Sequence, residues 1–246
     1  DMKAAIKDFT KAIELNPKYT LAYNNRGNAK KNLGDYEGAA FDYTKAIEIN
    51  PNNELAYNNR ANARYELLDY KAAISDYNMA IAINPNYLQA YHNRGSARNN
   101  LGNYKGAVSD FSKAIIIQPR DAASYYNRGS IRSKGMLDIK NAIVDFNQAI
   151  NLDPNYYQSY NNRGNAKKRI GDFNGAIHDF NKAILINPKY AIAYYNRGVS
   201  RHELGNQPGA CSDYSLAIEI ANLELSQWIQ LQTQHWCEKN LVPNTN

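Results

Sequence analysis

The chain has 246 residues, 29 Lys+Arg against 23 Asp+Glu for a formal charge of +6, and a hydrophobic share of 43%. That apolar share is ordinary for a folded chain, and no apolar run approaches the ~20 residues of a membrane span, so a membrane partner is not expected. The basic excess would suit an acidic partner, but it is spread along the whole chain and not gathered in one cluster, which argues against nucleic acid.

Taken in chain order, residues 1–19 read as the second helix of a truncated repeat, with Ala5, Ile6, Phe9, Ala12 and Ile13 at helical spacing. The sequence starts in mid-repeat and Asp1-Met2-Lys3-Ala4-Ala5 holds no signal peptide, so a piece of a longer protein is expected. Ile6, Phe9 and Ile13 would then lack the helix that should cover them, which makes this end a candidate for homo-oligomer contacts. Six full repeats follow at 20–53, 54–87, 88–121, 122–156, 157–190 and 191–222. Their register is set by Asn-Arg-Gly or Asn-Arg-Ala, whose arginines are Arg26, Arg60, Arg94, Arg128, Arg163 and Arg197, at intervals of 34, 34, 34, 35 and 34 residues.

Each period holds two amphipathic helices, typified by Leu21 to Leu33 and Tyr36 to Ile49. Gly34-Asp35 supplies a helix-ending glycine and then an N-cap carboxylate, and Gly102-Asn103, Gly171-Asp172 and Gly205-Asn206 repeat the device. So short a turn makes the two helices antiparallel neighbours. The second helices stop before prolines such as Pro51, Pro85 and Pro188, because proline disfavours helical conformation in the residue ahead of it. The repeat at 122–156 has one extra residue in Lys134-Gly135-Met136-Leu137-Asp138, which should reshape its inner turn. Beyond Ile220 the pattern ends without its proline. Asn222 can cap a further helix over 223–240 carrying Leu225, Trp228, Ile229 and Trp236, a capping helix for the last repeat, followed by a tail at 241–246.

Small columns (Ala39, Ala73, Ala107, Ala142, Ala176, Ala210) alternate with an aromatic column (Tyr43, Tyr77, Phe111, Phe146, Phe180, Tyr214). With the Gly/Ala, alanine, aromatic and proline columns in place, the chain resembles the tetratricopeptide repeat family over about residues 1–222. The resemblance implies an all-α, right-handed superhelical α-solenoid of antiparallel helix pairs, working as a non-catalytic protein-interaction scaffold. One departure stands out: arginine fills the first-helix column where the common repeat has leucine. Asp42, Asp76, Asp110, Asp145, Asp179 and Asp213 form an acidic column on the paired helices, so structural ion pairs are expected, with a basic stripe for an acidic ligand as the alternative.

No catalytic constellation is present. His92, His178, His202 and His235 fall at unrelated places in the period, and there is no phosphate-cradling glycine loop or metal-spaced Cys/His set, so neither enzyme activity, metal nor cofactor is expected. His235-x-Cys237 reads as surface sequence. Two cysteines, Cys211 and Cys237, are too few for a small secreted disulfide scaffold; a cytoplasmic location is the expectation, with periplasmic or secreted ones still compatible.

The informative column is asparagine: Asn25, Asn59, Asn93, Asn127, Asn162 and Asn196 in the first helices, joined one turn on by Asn28, Asn62 and Asn165. Asparagine is a poor helix-interior residue, so its sixfold use needs another reason. By the resemblance, first helices line the concave groove, and family superhelices with a similar asparagine ladder hold extended peptide. A carboxamide donates and accepts, and so can pair with a peptide backbone. The alternative is that the amides bond neighbouring helices. Leu21, Asn24, Leu55, Asn58, Tyr65, His92, Tyr126, Asn161, Ile192, Tyr195 and His202 neighbour them by helical spacing, with Tyr126 and Tyr195 the aromatic candidates. Chaperone-binding members grip a C-terminal carboxylate with cations, and Asn24, Gln89 and Asn93 stand where those cations would be needed, so that ligand is not expected. The rival readings are a self-assembling structural module and a regulatory or substrate-docking arm of a larger enzyme.

Overall fold

The computed structural model describes residues 1–237, and the tail assigned to 241–246 and the last three residues of the capping helix lie outside them. The described chain is an all-α array of helix pairs, in two compact units, Asp1–Pro119 and Arg120–Asn246. The first contains α1 (Met2–Leu15), α2 (Thr20–Asn32), α3 (Tyr36–Ile49), α4 (Glu54–Glu66), α5 (Tyr70–Ile83), α6 (Leu88–Asn100) and α7 (Tyr104–Ile117). The second contains α8 (Ala122–Lys134), α9 (Ile139–Leu152), α10 (Tyr157–Arg169), α11 (Phe173–Ile186), α12 (Ala191–Glu203), α13 (Gln207–Ile220) and α14 (Leu223–Cys237).

Local chemistry sets the ends of these helices. The Asp35 carboxylate accepts from the Gly38 N–H at 2.8 Å, and Asp172 does the same for Gly175. Before each cap the chain takes a left-handed residue, Gly34 at φ +82° and Gly171 at φ +82°. The turn after α4 puts a leucine there, Leu68 at φ +62°. The extra residue after α8 is absorbed by Leu137 at φ +56°, after which Asp138 caps α9.

Within each pair the small columns let the helices meet. A Cβ on Gly27 would lie 2.7 Å from the Tyr43 ring, so no larger residue fits without moving it. Ala39, Ala73, Ala107, Ala142, Ala176 and Ala210 are fully buried, as are Tyr43, Phe146 and Phe180. At the start of the chain Ile13 is buried while Ile6 and Phe9 are half-covered.

The arginine column is a polar hub. Arg26 Nη2 lies 2.7 Å from Asp42 Oδ1 and its Nε 2.9 Å from Oδ2, and Lys30 reaches the same carboxylate at 2.8 Å. Every repeat has this triad of one aspartate and two cations four residues apart: Arg60 and Arg64 on Asp76, Arg94 and Arg98 on Asp110, Arg128 and Arg132 on Asp145, Arg163 and Lys167 on Asp179, Arg197 and Arg201 on Asp213. The guanidinium also reaches back one repeat: Nη1 donates from Arg60 to Thr44, from Arg94 to Asn78, from Arg163 to Asn147 and from Arg197 to Asn181. Its face lies over the tyrosine three residues earlier, with the Arg94 carbon 5.3 Å from the Tyr91 ring centre. One side chain thereby ties its own pair together and couples that pair to the one before.

Asn222 caps α14, accepting from the Leu225 N–H at 3.0 Å. Ile229 and Thr233 are buried against the last repeat, Trp228 meets Tyr195 edge-on at 5.0 Å, and Trp236 stacks on His202 at 4.4 Å. A disulfide joins Cys211 on α13 to Cys237 at the end of α14, with Cα atoms 5.6 Å apart. This corrects the reading of His235-x-Cys237 as plain surface sequence. The two cysteines are 26 residues apart, and only the antiparallel return of α14 brings them together.

Candidate functional site

The first helices of successive repeats lie side by side within each unit, and their asparagines meet there. In the first unit Asn59 Nδ2 donates to Asn28 Oδ1 at 3.4 Å, and Asn93 Nδ2 donates to Asn62 Oδ1 at 2.8 Å. The same two oxygens accept from Tyr43 Oη at 2.8 Å and Tyr77 Oη at 2.7 Å. Asn28 and Asn62 are therefore acceptors for buried tyrosine hydroxyls as well as rungs of the ladder. Burial pushes both tyrosines far above the ordinary phenol range, so they stay protonated donors.

Two depressions open on this face of the first unit. One, of about 410 Å³, is lined by Asn25, Asn28 and Asn59 with Leu21, Asn24 and Leu55. The other, of about 540 Å³, is lined by Asn62 and Asn93 with Lys31, Tyr65, Glu66 and Gln89. Gln89 donates to Asn93 Oδ1 at 2.8 Å, so this amide is engaged at both ends. Asn24 and Asn58 are buried at 9% and 3% exposure, each with an Oδ1 that has no hydrogen-bond partner among the described residues.

In the second unit a cavity of about 580 Å³ gathers Asn162, Asn165, Asn196, Tyr126 and Tyr195. Asn162 Nδ2 donates to Ser130 Oγ at 3.2 Å and Tyr126 Oη at 3.3 Å, and Asn196 Nδ2 donates to Asn161 Oδ1 at 3.0 Å. The side chain of Asn165, opposite Phe180 and not a tyrosine, makes no hydrogen bond among the described residues. Asn127 occupies the ladder position on α8, half-buried, but is not among the residues lining this cavity. Tyr190 on the cavity wall has its hydroxyl pushed up to about 12 by burial. The wall also carries residues that the repeat pattern does not single out: Lys168 and Arg169 at the end of α10, Lys134 at the end of α8, and Trp228 of α14. Lys168 could have been found from its helical spacing to Asn165. Trp228 could not, because its contact depends on how α14 folds back.

Fold and site together define a helix-pair repeat protein of the protein-interaction type, with no group of three or more His, Cys, Asp or Glu able to hold a metal among the described residues. Models described as tetratricopeptide repeat match residues 1–19, 20–53, 55–87, 88–121, 122–156 and 146–178, and one described as TPR repeat matches 167–205. The chain belongs to the tetratricopeptide repeat family.

Among solved structures it is similar to YrrB, described as a TPR protein with an unusual peptide-binding site, at 25% identity and TM-score 0.62 over 78% of this chain and 99% of that one. A tetratricopeptide repeat protein from Parabacteroides merdae has the same fold at 23% identity and TM-score 0.70, covering 95% of this chain and 93% of that one. The C-terminal part of a TPR repeat-containing protein from Cytophaga hutchinsonii matches at 19% identity and TM-score 0.75, covering 92% and 93%. Among curated proteins no relative matches. Proteins of this family are generally non-catalytic scaffolds, and no described helix is long and apolar enough to cross a membrane.

Proposed function

We propose that the chain is a non-catalytic scaffold whose first-helix face binds an extended segment of a partner protein. The observation that carries this reading is the placement of the ladder. Asn25, Asn28, Asn59, Asn62, Asn93, Asn162, Asn165 and Asn196 line the three depressions described above, and do not sit on an outer surface. Each ladder carboxamide has two donors and two acceptor sites, so one interhelical bond leaves capacity for a peptide C=O or N–H. Packed helices lie ~10 Å apart and an extended chain advances ~3.3 Å per residue, so one repeat serves about three ligand residues. The peptide-binding site ascribed to YrrB, a protein of similar fold, is in keeping with this.

The interhelical bonds also define the competing role, that of struts. The test uses peptides recovered from a random dodecapeptide library on the intact chain, with Asn25→Ala, Asn59→Ala and Asn93→Ala combined. At ~0.5 to 1.5 kcal/mol per hydrogen bond, the triple variant should bind about 10-fold or more weakly, with melting temperature and helicity measured on the same samples. Unfolding of the variant would assign the amides to the scaffold alone; full affinity in a folded variant would place the ligand elsewhere.

A further inference from the structure

The cavity of the second unit differs in chemistry from the two depressions of the first. Lys168, Arg169 and Lys134 line it and no carboxylate does, whereas Lys31 is balanced by Glu66 in the larger depression of the first unit. Arg169 is committed, donating to the Ser133 carbonyl at 2.6 Å. Lys168 is half-buried and its Nζ makes no hydrogen bond or ion pair among the described residues. Burial lowers the affinity of its amine for the proton, an effect larger than the attraction of Glu203. An ammonium whose N–H donors have no acceptor, on the wall of a cavity lined by no carboxylate, is stabilised when an anion enters. Aromatic rings line the same cavity: Tyr126, which packs on Tyr156 at 4.9 Å, and Tyr195, which meets Trp228 at 5.0 Å.

From this juxtaposition we infer that the second unit selects a peptide segment carrying an acidic side chain for Lys168 and a nearby aromatic side chain for the Tyr126, Tyr195 and Trp228 walls. The Asn162 and Asn196 amides are left for the backbone between them. The inference rests on the peptide-binding reading above and adds to it the composition of the segment.

The experiment selects a random dodecapeptide library against the intact chain, then measures fluorescence-polarisation affinities of the enriched peptides. Enriched sequences should carry Asp or Glu together with Phe, Tyr or Trp. Changing that acid to its amide should weaken binding about 10-fold or more, the scale of one charge-assisted hydrogen bond. Against Lys168→Met the acid and amide peptides should bind equally, while Lys168→Arg should keep the preference; the two variants together separate charge from packing. Peptides enriched without an acid overturn this inference and leave the groove reading standing. Acid preference that survives in Lys168→Met overturns it as well, and a library that yields no binder overturns both.

Discussion

Replacing Arg94 with leucine restores the residue type that the common tetratricopeptide repeat carries at this place, yet here it should be harmful. Asp110 is 1% exposed and accepts from Arg94 Nη2 at 2.6 Å, from Arg94 Nε at 3.1 Å and from Arg98 Nη1 at 2.8 Å. Arg94→Leu removes the bidentate partner and the bond to Asn78 of the preceding repeat, and leaves Arg98 as the sole cation on a buried carboxylate. Breaking a buried pair costs about 3–5 kcal/mol; the surviving Arg98 should hold the loss near about 3 kcal/mol. Asp110→Leu should cost less, because the two cation side chains retain 13% and 22% exposure and can extend their heads to water. The double variant leaves no buried charge without its partner and should recover about half or more of the loss seen in Arg94→Leu.

Urea midpoints of the two single variants and the double variant, with hydrogen exchange in α6 and α7 to localise the effect, complete the cycle. A midpoint unchanged in Arg94→Leu, or losses that simply add in the double variant, would show that the triad contributes no coupling and that the arginine column has another purpose.

Tyr214 has no hydrogen-bond partner for its buried hydroxyl among the described residues, because Val199 stands where Asn28 and Asn62 serve Tyr43 and Tyr77. Tyr214→Phe should therefore stabilise the second unit by about 1 kcal/mol, while Tyr77→Phe should destabilise the first by about 0.5–1.5 kcal/mol, and thermal melts of the two variants should move in opposite directions. Reduction of Cys211–Cys237, or Cys237→Ser, should loosen α14: closing a loop over a separation of 26 residues is worth about 3.5 kcal/mol in the chain-entropy model. Faster amide exchange confined to α14 and a change in Trp228 and Trp236 fluorescence are expected, and equal exchange in oxidised and reduced protein would refute the clasp.

Much of this architecture could be read from the sequence because a repeat states each rule several times over. Gly34, Gly102, Gly171 and Gly205 all take positive φ where the pattern of glycine followed by Asp or Asn implies a helix end. The Arg and Asp columns pair as their register implies, since a contact repeated with each copy cannot be an accident of one loop. The second cation of each triad is less visible because the residue four places on is Arg in four repeats and Lys in two. The Leu68 turn has no glycine to announce it. Contacts made once, such as Cys211 with Cys237 and Trp228 with Tyr195, are hidden because they depend on the path of α14, which has no counterpart in the repeats.

The position one turn beyond the ladder, asparagine in only three of the six full repeats, shows what can hold a poor helix former in place. Where the second helix brings a tyrosine, as at Tyr43 and Tyr77, the amide one turn on satisfies a buried hydroxyl; where it brings phenylalanine, as at Phe111 and Phe146, that position is Ser96 or Ser130. Val199 opposite Tyr214 and Asn165 opposite Phe180 both break the correlation, and Asn165 lines the same cavity as Lys168. A carboxamide kept without a hydroxyl to serve has no structural need for its place. Packing thus accounts for Asn28 and Asn62 at least in part, but gives no account of Asn165. Asn165→Ala should for that reason leave the stability within about 0.5 kcal/mol of the native chain while still weakening peptides held by the second unit. Loss of stability on that substitution, with affinity intact, would return the residue to the scaffold.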